Sequence, residues 1–385
     1  MDFWIVWVRT IKYFKMKLTN IRKITLVGDL HLGIKNNSIE WIQIQKDFLL
    51  DFLINKVDED FDEDRDVLFL EGDIFHSRES INVRVHDEAL TIFKKLSDKF
   101  KRGIYIIIGN HDVYYKDRNV VHSLKAISHI ADNIHVFENP EIITINESHN
   151  FLMLPWVEDT NRLNQIITDH KDLCEYIVCH ADIKGLSFNK WTKVEHGIEV
   201  DILSSYKRVY AGHIHHRQEF KNVLYTGTPY QMDRGDRDNT KGFYQLDISS
   251  QKVIESFIEN TQSPVYKKFD IFELLEMPAN KVIEKLNNSF VDIMISVNFV
   301  NKFSVTRFLE LISKSTHRKV EFFTYVDQVT DESTSTDFNP EDQFNVIDIF
   351  KSYIKTKDYS QTFKTELAQK FIEIHNLVKQ QATDE

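Results

Sequence analysis

Two cysteines in 385 residues are too few for a disulfide scaffold, and Cys174 and Cys179 lack the spacing of a zinc knuckle. Cys179 lies in an apolar run, where a small buried side chain is expected, and the scarcity fits a reducing compartment. The chain also lacks a basic surplus: 48 Lys and Arg stand against 59 Asp and Glu, a net charge of -11, which argues against holding nucleic acid by general basicity. A phosphate substrate stays compatible with that balance, because bound divalent cations bring positive charge that the sequence tally omits. Long apolar runs are missing too. The stretch from Phe3 to Val8 is too short to span a bilayer, and its basic residues follow it, the wrong order for a secretory signal. Residues 1–16 are therefore read as an extension ahead of a first strand at Ile24, with Met16 as a second possible start, and the protein as cytoplasmic (host cytoplasm if phage-encoded), with no membrane partner. No internal repeat is evident.

A hydrophobic content of 42% with 28% charged residues supplies a real core, and the length suggests two or three folded units. Short runs rich in Ile, Val, Phe and Tyr predict strands at Ile24–Val27, Val67–Leu70, Ile104–Ile108, Phe151–Leu154, Tyr176–Val178, Arg208–Tyr210 and Val223–Tyr225. Most lack alternation, as strands buried on both faces do. Phe48, Leu49, Phe52, Leu53 and Val57 share one helical face, and so do Val85, Ala89, Phe93, Leu96 and Phe100. Strands alternating with helices give an α/β fold of βαβ units. A second α/β unit reads from near Pro264: strand Val265–Ile271, helix Asn280–Asn288, strand Val291–Phe299, helix Ser304–Ser315 and strand Lys319–Tyr325. The acidic, polar stretch Gln328–Gln343 reads as a linker. Beyond it Phe363, Leu367, Phe371, Ile374 and Val378 form an apolar stripe, which packs on the body or docks on a partner.

The 16 histidines are placed, not scattered. Five apolar runs end in Gly28-Asp29-Leu30-His31, Gly72-Asp73-Ile74-Phe75-His76, Gly109-Asn110-His111-Asp112, His180, and Gly212-His213-Ile214-His215. Ligands at the carboxyl ends of neighbouring strands converge on one crevice of an α/β sheet, and glycine before the ligand allows a sharp turn and close approach. Asp29, His31, Asp73, Asn110, His180, His213 and His215 exceed the needs of one ion and match two, with one aspartate bridging. Mixed nitrogen and oxygen donors suit Mn²⁺, Fe²⁺ or Zn²⁺ better than Ca²⁺, whereas Mg²⁺ normally takes more carboxylate; Mn²⁺ is the expected ion.

Asp-x-His, Gly-Asp, Gly-Asn-His-Asp, a lone His and Gly-His-x-His together resemble the calcineurin-like metallophosphoesterases. Within them the chain is similar to the SbcD-type DNA double-strand-break nucleases and to the recombination nuclease subunit of T-even phages. Three features favour that branch: His76 after Gly-Asp-Ile-Phe, Ser77-Arg78 where the protein phosphatases have Asp-Arg-Gly, and the closing elements Tyr225-Thr226-Gly227-Thr228-Pro229 and Lys241-Gly242-Phe243. Thr228 departs from the commoner Ser. The motifs cover residues 24 to 243, and beyond them only domain order matches.

The resemblance implies a metallophosphoesterase β-sandwich with flanking helices at 17–262, a small α/β capping domain at 263–328, a linker at 329–342 and C-terminal helices at 343–385. It implies one ion on Asp29, His31 and His215, another on Asn110, His180 and His213, and Asp73 shared. His111 is expected as general acid or stabiliser for the leaving oxygen and His76 near the phosphate, while Asp112 orients His111 or caps the next turn. His86, His122, His196 and His216 read as surface residues. Arg78, Arg84, Lys116, Arg118, Arg234, Arg237 and Lys241 are candidate DNA contacts, against the plainer reading of solvated loop charge. The implied partners are DNA (duplex ends, hairpins or single strands), an ABC-type coiled-coil ATPase docked on the terminal helices, and a second nuclease subunit. Two other functions compete: a metallophosphoesterase acting on a small phosphodiester, nucleotide or phosphoprotein, and a non-catalytic scaffold. The first leaves the closing elements and C-terminal units unexplained; the second sits badly with a full set of ligands.

Overall fold

The computed structural model describes residues 15–187, 192–300, 304–325 and 363–372. Strands are numbered in chain order. One sheet runs β1 (Lys15–Leu18), β6 (Glu141–Ile145), β7 (His149–Leu154), β8 (Tyr176–His180), β9 (Arg208–Gly212), β11 (Val223–Tyr225), β10 (Gln218–Phe220). A second runs β13 (Ile254–Glu259), β12 (Gly242–Asp247), β2 (Lys23–Val27), β3 (Asp66–Leu70), β4 (Ile104–Ile107), β5 (Ile134–Phe137).

Successive side chains of a strand point to opposite faces, and here both faces find apolar cover. In β3, Val67 and Phe69 join Leu26, Tyr105, Ile143, Phe151, Val178 and Tyr210 in the core between the sheets. Leu68 and Leu70 turn the other way, onto the helix Val83–Lys99 through Val85, Ala89, Phe93 and Leu96. The helical segments Ile39–Asp47 and Leu53–Asp58, joined by a π-helical turn at Phe48–Phe52, cover the same face. In β8, Tyr176 and Val178 face inward while Ile177 and Cys179 meet Leu163 and Ile167 of the helix Thr160–His170. The result is a four-layer α/β/β/α sandwich. Its two sheets are the β-sandwich with flanking helices that the family resemblance implies.

A third, all-parallel sheet contains β14 (Val265–Asp270), β15 (Ser289–Ser296) and β16 (Lys319–Tyr325), crossed over by the helices Ala279–Leu286 and Val305–Ile312. Val291 and Ile293 pack on Val282, Leu286, Phe308 and Ile312. The other face of β15 meets the sandwich: Phe290 stacks on Trp41 with ring centroids 5.6 Å apart, and Asp292 accepts from Arg234 and Arg237, each at 2.8 Å. These strands fall where the sequence predicts them, each within a few residues.

The chain divides into two units, Met1–Val326 and Asp327–Glu385, so the third sheet shares a unit with the sandwich. In the second unit residues 363–372 are helical; the linker, Ile374 and Val378 lie outside the described residues. Lys15 and Met16, read as extension, belong to β1 and pair in parallel with β6. Among the described residues no helix is long and apolar enough to cross a membrane.

Candidate metal centre

Strands β2, β3 and β4 are neighbours in one sheet, and β8 and β9 are neighbours in the other. Their carboxyl ends face one crevice at the edge of the sandwich, and the loops that leave them bring Asp29, His31, Asp73, Asn110, His180, His213 and His215 together. Gly109 stands where a Cβ would overlap the backbone nitrogen and carboxylate of Asp73. Gly72 has φ +94° and a Cβ there would lie 2.8 Å from the Gly109 nitrogen and from His180 Nδ1. Three ligand-type residues take left-handed φ without being glycine: His31 at 48°, Asp73 at 48° and His213 at 91°. Such residues cost of order 1–3 kcal/mol each and persist only where the surroundings hold them. Here the His31 N–H donates to the Asp73 carbonyl at 2.9 Å, and the His213 N–H to Asp29 Oδ1 at 2.9 Å.

The ring tautomers follow from their fixed partners. His180 Nδ1 is 2.7 Å from the Glu71 carbonyl oxygen and must donate to it, which leaves Nε2 bearing the lone pair. That Nε2 is 2.9 Å from Asn110 Oδ1 and 3.4 Å from Asp73 Oδ1, both acceptors. His213 Nε2 is 3.2 Å from Asp182 Oδ1, so its Nδ1 bears the lone pair, and it too lies 2.9 Å from Asn110 Oδ1. On the other side His31 Nε2 is 3.0 Å from His215 Nε2 and 3.6 Å from Asp73 Oδ2. Asp29 Oδ2 is buried with no hydrogen-bond partner. Lone pairs turned toward lone pairs, with Asp73 touching both groups, describe two places that want a cation.

The electrostatics agree. Burial opposes a charge on His180, yet in the metal-free chain Asp73 and Asp29 overcome it and raise its pKa to about 10, so that a proton on Nε2 then stands where a cation would. Burial also opposes a charge on Asp73, but His180 and His31 hold its pKa below the usual carboxylate range. Burial lowers His31 and His215, keeping those rings neutral and able to ligate. The residues present thus fit divalent ions.

A family model for calcineurin-like phosphoesterases matches residues 22–244. The chain belongs to that family. It is 28% identical over 281 residues to "Exonuclease subunit 1" of Enterobacteria phage T4, covering 69% of this chain and 78% of that protein. It is also 28% identical over 228 residues to "Putative phosphoesterase 244L" of Invertebrate iridescent virus 6, covering 56% and 73%. This calcineurin-like phosphoesterase is a metal-dependent hydrolase of phosphoesters.

Around the crevice the other expected residues divide. His111 Nδ1 donates to the His76 carbonyl at 2.6 Å, and the two rings stack 5.6 Å apart. Burial, then His111, lowers the pKa of His76. Asp112 does not orient His111: its carboxylate accepts from the N–H groups of Ile74, Phe75 and Gly109 at 3.3, 3.1 and 3.0 Å, tying the β3 and β4 loops together. Burial and Asp73 push its pKa up to about 7 against those donors. His122, expected on the surface, is buried with its Nε2 3.0 Å from Glu138. His196 is exposed, His86 half-buried, and His216 meets Asn239 at 3.2 Å.

The basic candidates need correction. Lys241 is buried, 2.5 Å from Asp236 and donating to the His215 carbonyl at 2.6 Å, so it braces the His215 loop and cannot meet a substrate. Arg234 and Arg237 are committed to Asp292. Arg78 reaches the Asn110 carbonyl at 2.8 Å, whereas Arg84, Lys116 and Arg118 are exposed. Thr226 in the closing turn donates to the Glu71 carboxylate beneath the site. The sequence reading missed Glu71, Asp182 and Trp156. An acidic residue two positions from a ligand, as Glu71 is from Asp73 and Asp182 from His180, is the signal that would have found the first two.

Proposed function

We propose that the chain is a two-metal DNA nuclease, with Asp29, His31 and His215 holding one divalent ion, Asn110, His180 and His213 the other, and Asp73 between them. The observation that supports this reading is the approach of His180 Nε2 and His213 Nδ1 to the same Asn110 Oδ1, each at 2.9 Å, a cage of donors that a cation would fill. Bound ions, Mn²⁺ by the donor set, would make water nucleophilic at neutral pH and offset charge growing on the phosphoryl oxygens. The chain's own groups do the rest. With Nδ1 committed to the His76 carbonyl, His111 keeps Nε2 for the substrate, and in its protonated form gives that proton to the leaving oxygen and is left as the neutral ring. His76 steadies that ring by stacking and helps position the phosphate.

DNA as substrate is supported by the likeness to a phage protein named an exonuclease subunit. The word subunit supports an assembly, and we propose one with an ABC-type coiled-coil ATPase and a second copy of this chain, in the (host) cytoplasm. Residues 17–262 would be the nuclease domain, 263–328 a capping domain beside the DNA, 329–342 a linker and 343–385 the partner-binding segment.

Elemental analysis and digestion of end-labelled duplex, hairpin and single-stranded DNA test the core of this. Asp29→Ala and His180→Ala should lose metal. His111→Ser should keep two ions while cleavage falls about 10²–10⁴-fold. Wild-type cleavage by His111→Ser, or turnover of only a small phosphodiester by the native chain, would overturn the corresponding claim.

A further inference from the structure

Beyond β7, Pro155 is followed by Trp156, which packs on His213 at 5.0 Å between centroids and on His180 at 6.0 Å. Its backbone N–H donates to the Ile108 carbonyl at 2.8 Å and its indole N–H to Glu158 at 3.2 Å, so the ring is held in place. The same Trp156 lines a cavity of about 430 Å³, within the range of small-ligand sites. Val120, Pro140 and Val157 give this cavity apolar walls, and the amides of Asn119 and Asn139 give it polar edges. Its lip is the loop 114–121, closed by the Tyr114 N–H to Val121 carbonyl bond at 3.0 Å, and Val120 there is 60% exposed with nothing covering it.

The charges around the cavity also sort themselves. Of its carboxylates, Glu138 pairs with His122, Glu158 accepts from Trp156, and Asp159 caps the helix Thr160–His170. Asp117 lies 4.0 Å from Arg118. Lys116 and Arg162 have no carboxylate partner among the described residues and remain for an anion.

We propose that this cavity is a nucleobase subsite: an unpaired base of the substrate lies against Trp156, the ring that packs on the metal-centre histidine His213. One aromatic ring among apolar walls, amide edges and flanking cations match the faces, edges and phosphates of a nucleotide. The inference rests on the nucleic-acid reading above and adds that the enzyme grips a base, so it acts on frayed or single-stranded ends.

Calorimetric titration of the manganese-loaded full-length chain with dAMP and with 2-deoxyribose 5-phosphate isolates the base. Stacking on an aromatic ring predicts that dAMP binds roughly 5- to 150-fold tighter. Trp156→Leu should abolish that preference. So should Val120→Trp, which fills the cavity from an exposed loop position and leaves the core untouched. Val120→Trp should bind the sugar phosphate as the native chain does. Equal affinity for the two ligands in the native chain overturns the subsite, and so does an unchanged preference in Val120→Trp. The binding preference is read independently of cleavage: a chain that prefers dAMP but leaves DNA intact supports the subsite and sinks the nuclease reading, and one that digests DNA without that preference does the reverse.

Discussion

Glu71 has two roles that depend on its being buried. Its backbone carbonyl fixes the His180 tautomer, and its carboxyl accepts from Thr226 while Oε1 has no hydrogen-bond partner. Burial pushes its pKa up to about 8, with Asp29 adding to the rise and Thr226 opposing it. A glutamate in an unfolded chain titrates near ~4.3, so between these values the metal-free folded chain holds a proton that the unfolded chain has released. The stability from this group is fully present below the unfolded pKa and is lost as pH rises through about 8. We expect the urea midpoint of chelator-treated protein to fall from pH 5 to pH 8.5, and Glu71→Gln to flatten that fall. Equal slopes for the two proteins would assign the effect to another group. The seven ligand-type residues were legible in the sequence because each ends an apolar run. The tuning of His180 by Glu71 and of His213 by Asp182 was not, since each acidic residue pairs with a histidine distant in the chain and not with the ligand two positions away.

At the scale of elements, the strands bearing ligands were legible for the same reason that they are central. β3 is buried along its whole length, and such strands read as unbroken apolar runs. In the sandwich the four edge strands, β1, β10, β5 and β13, were missed, and with them β6 and β12, the strands next to two of those edges. β13 reads Ile-Glu-Ser-Phe-Ile-Glu, and charged residues are what blunt an edge against unwanted pairing. Without the edges the strand list looks like one sheet, and the sandwich came only from the family resemblance. Phe69 tests what the second sheet adds. It is fully buried between the sheets, edge-on to Tyr105 at 5.4 Å and to Phe151 at 6.3 Å. Phe69→Ala should destabilise the fold by about 3–5 kcal/mol by urea titration, because the cavity cannot close between two rigid sheets. A loss under about 1 kcal/mol would mean that the sheets move together and that the crevice between them is plastic.

For the whole molecule the acidic total and the proposed DNA substrate must be reconciled. Lys241 is internal and braces the His215 loop, while Arg234 and Arg237 hold the third sheet to the sandwich through Asp292. Of the basic residues that the sequence singles out, those exposed for phosphate lie on the β3 and β4 side: Arg84 at the start of the helix Val83–Lys99, Lys116 and Arg118. Each phosphate contact on duplex DNA contributes roughly -0.9 to the slope of log affinity against log salt. Arg84→Ala should therefore reduce the measured slope by about one contact and weaken binding evenly across sequences. Arg237→Ala should leave the slope unchanged but loosen the third sheet, because Asp292, 6% exposed, loses one of its two guanidinium partners. Fluorescence anisotropy across a salt series, read beside limited proteolysis, separates the two. A slope lowered by Arg237→Ala and untouched by Arg84→Ala would move the DNA path onto the third sheet and reverse this assignment.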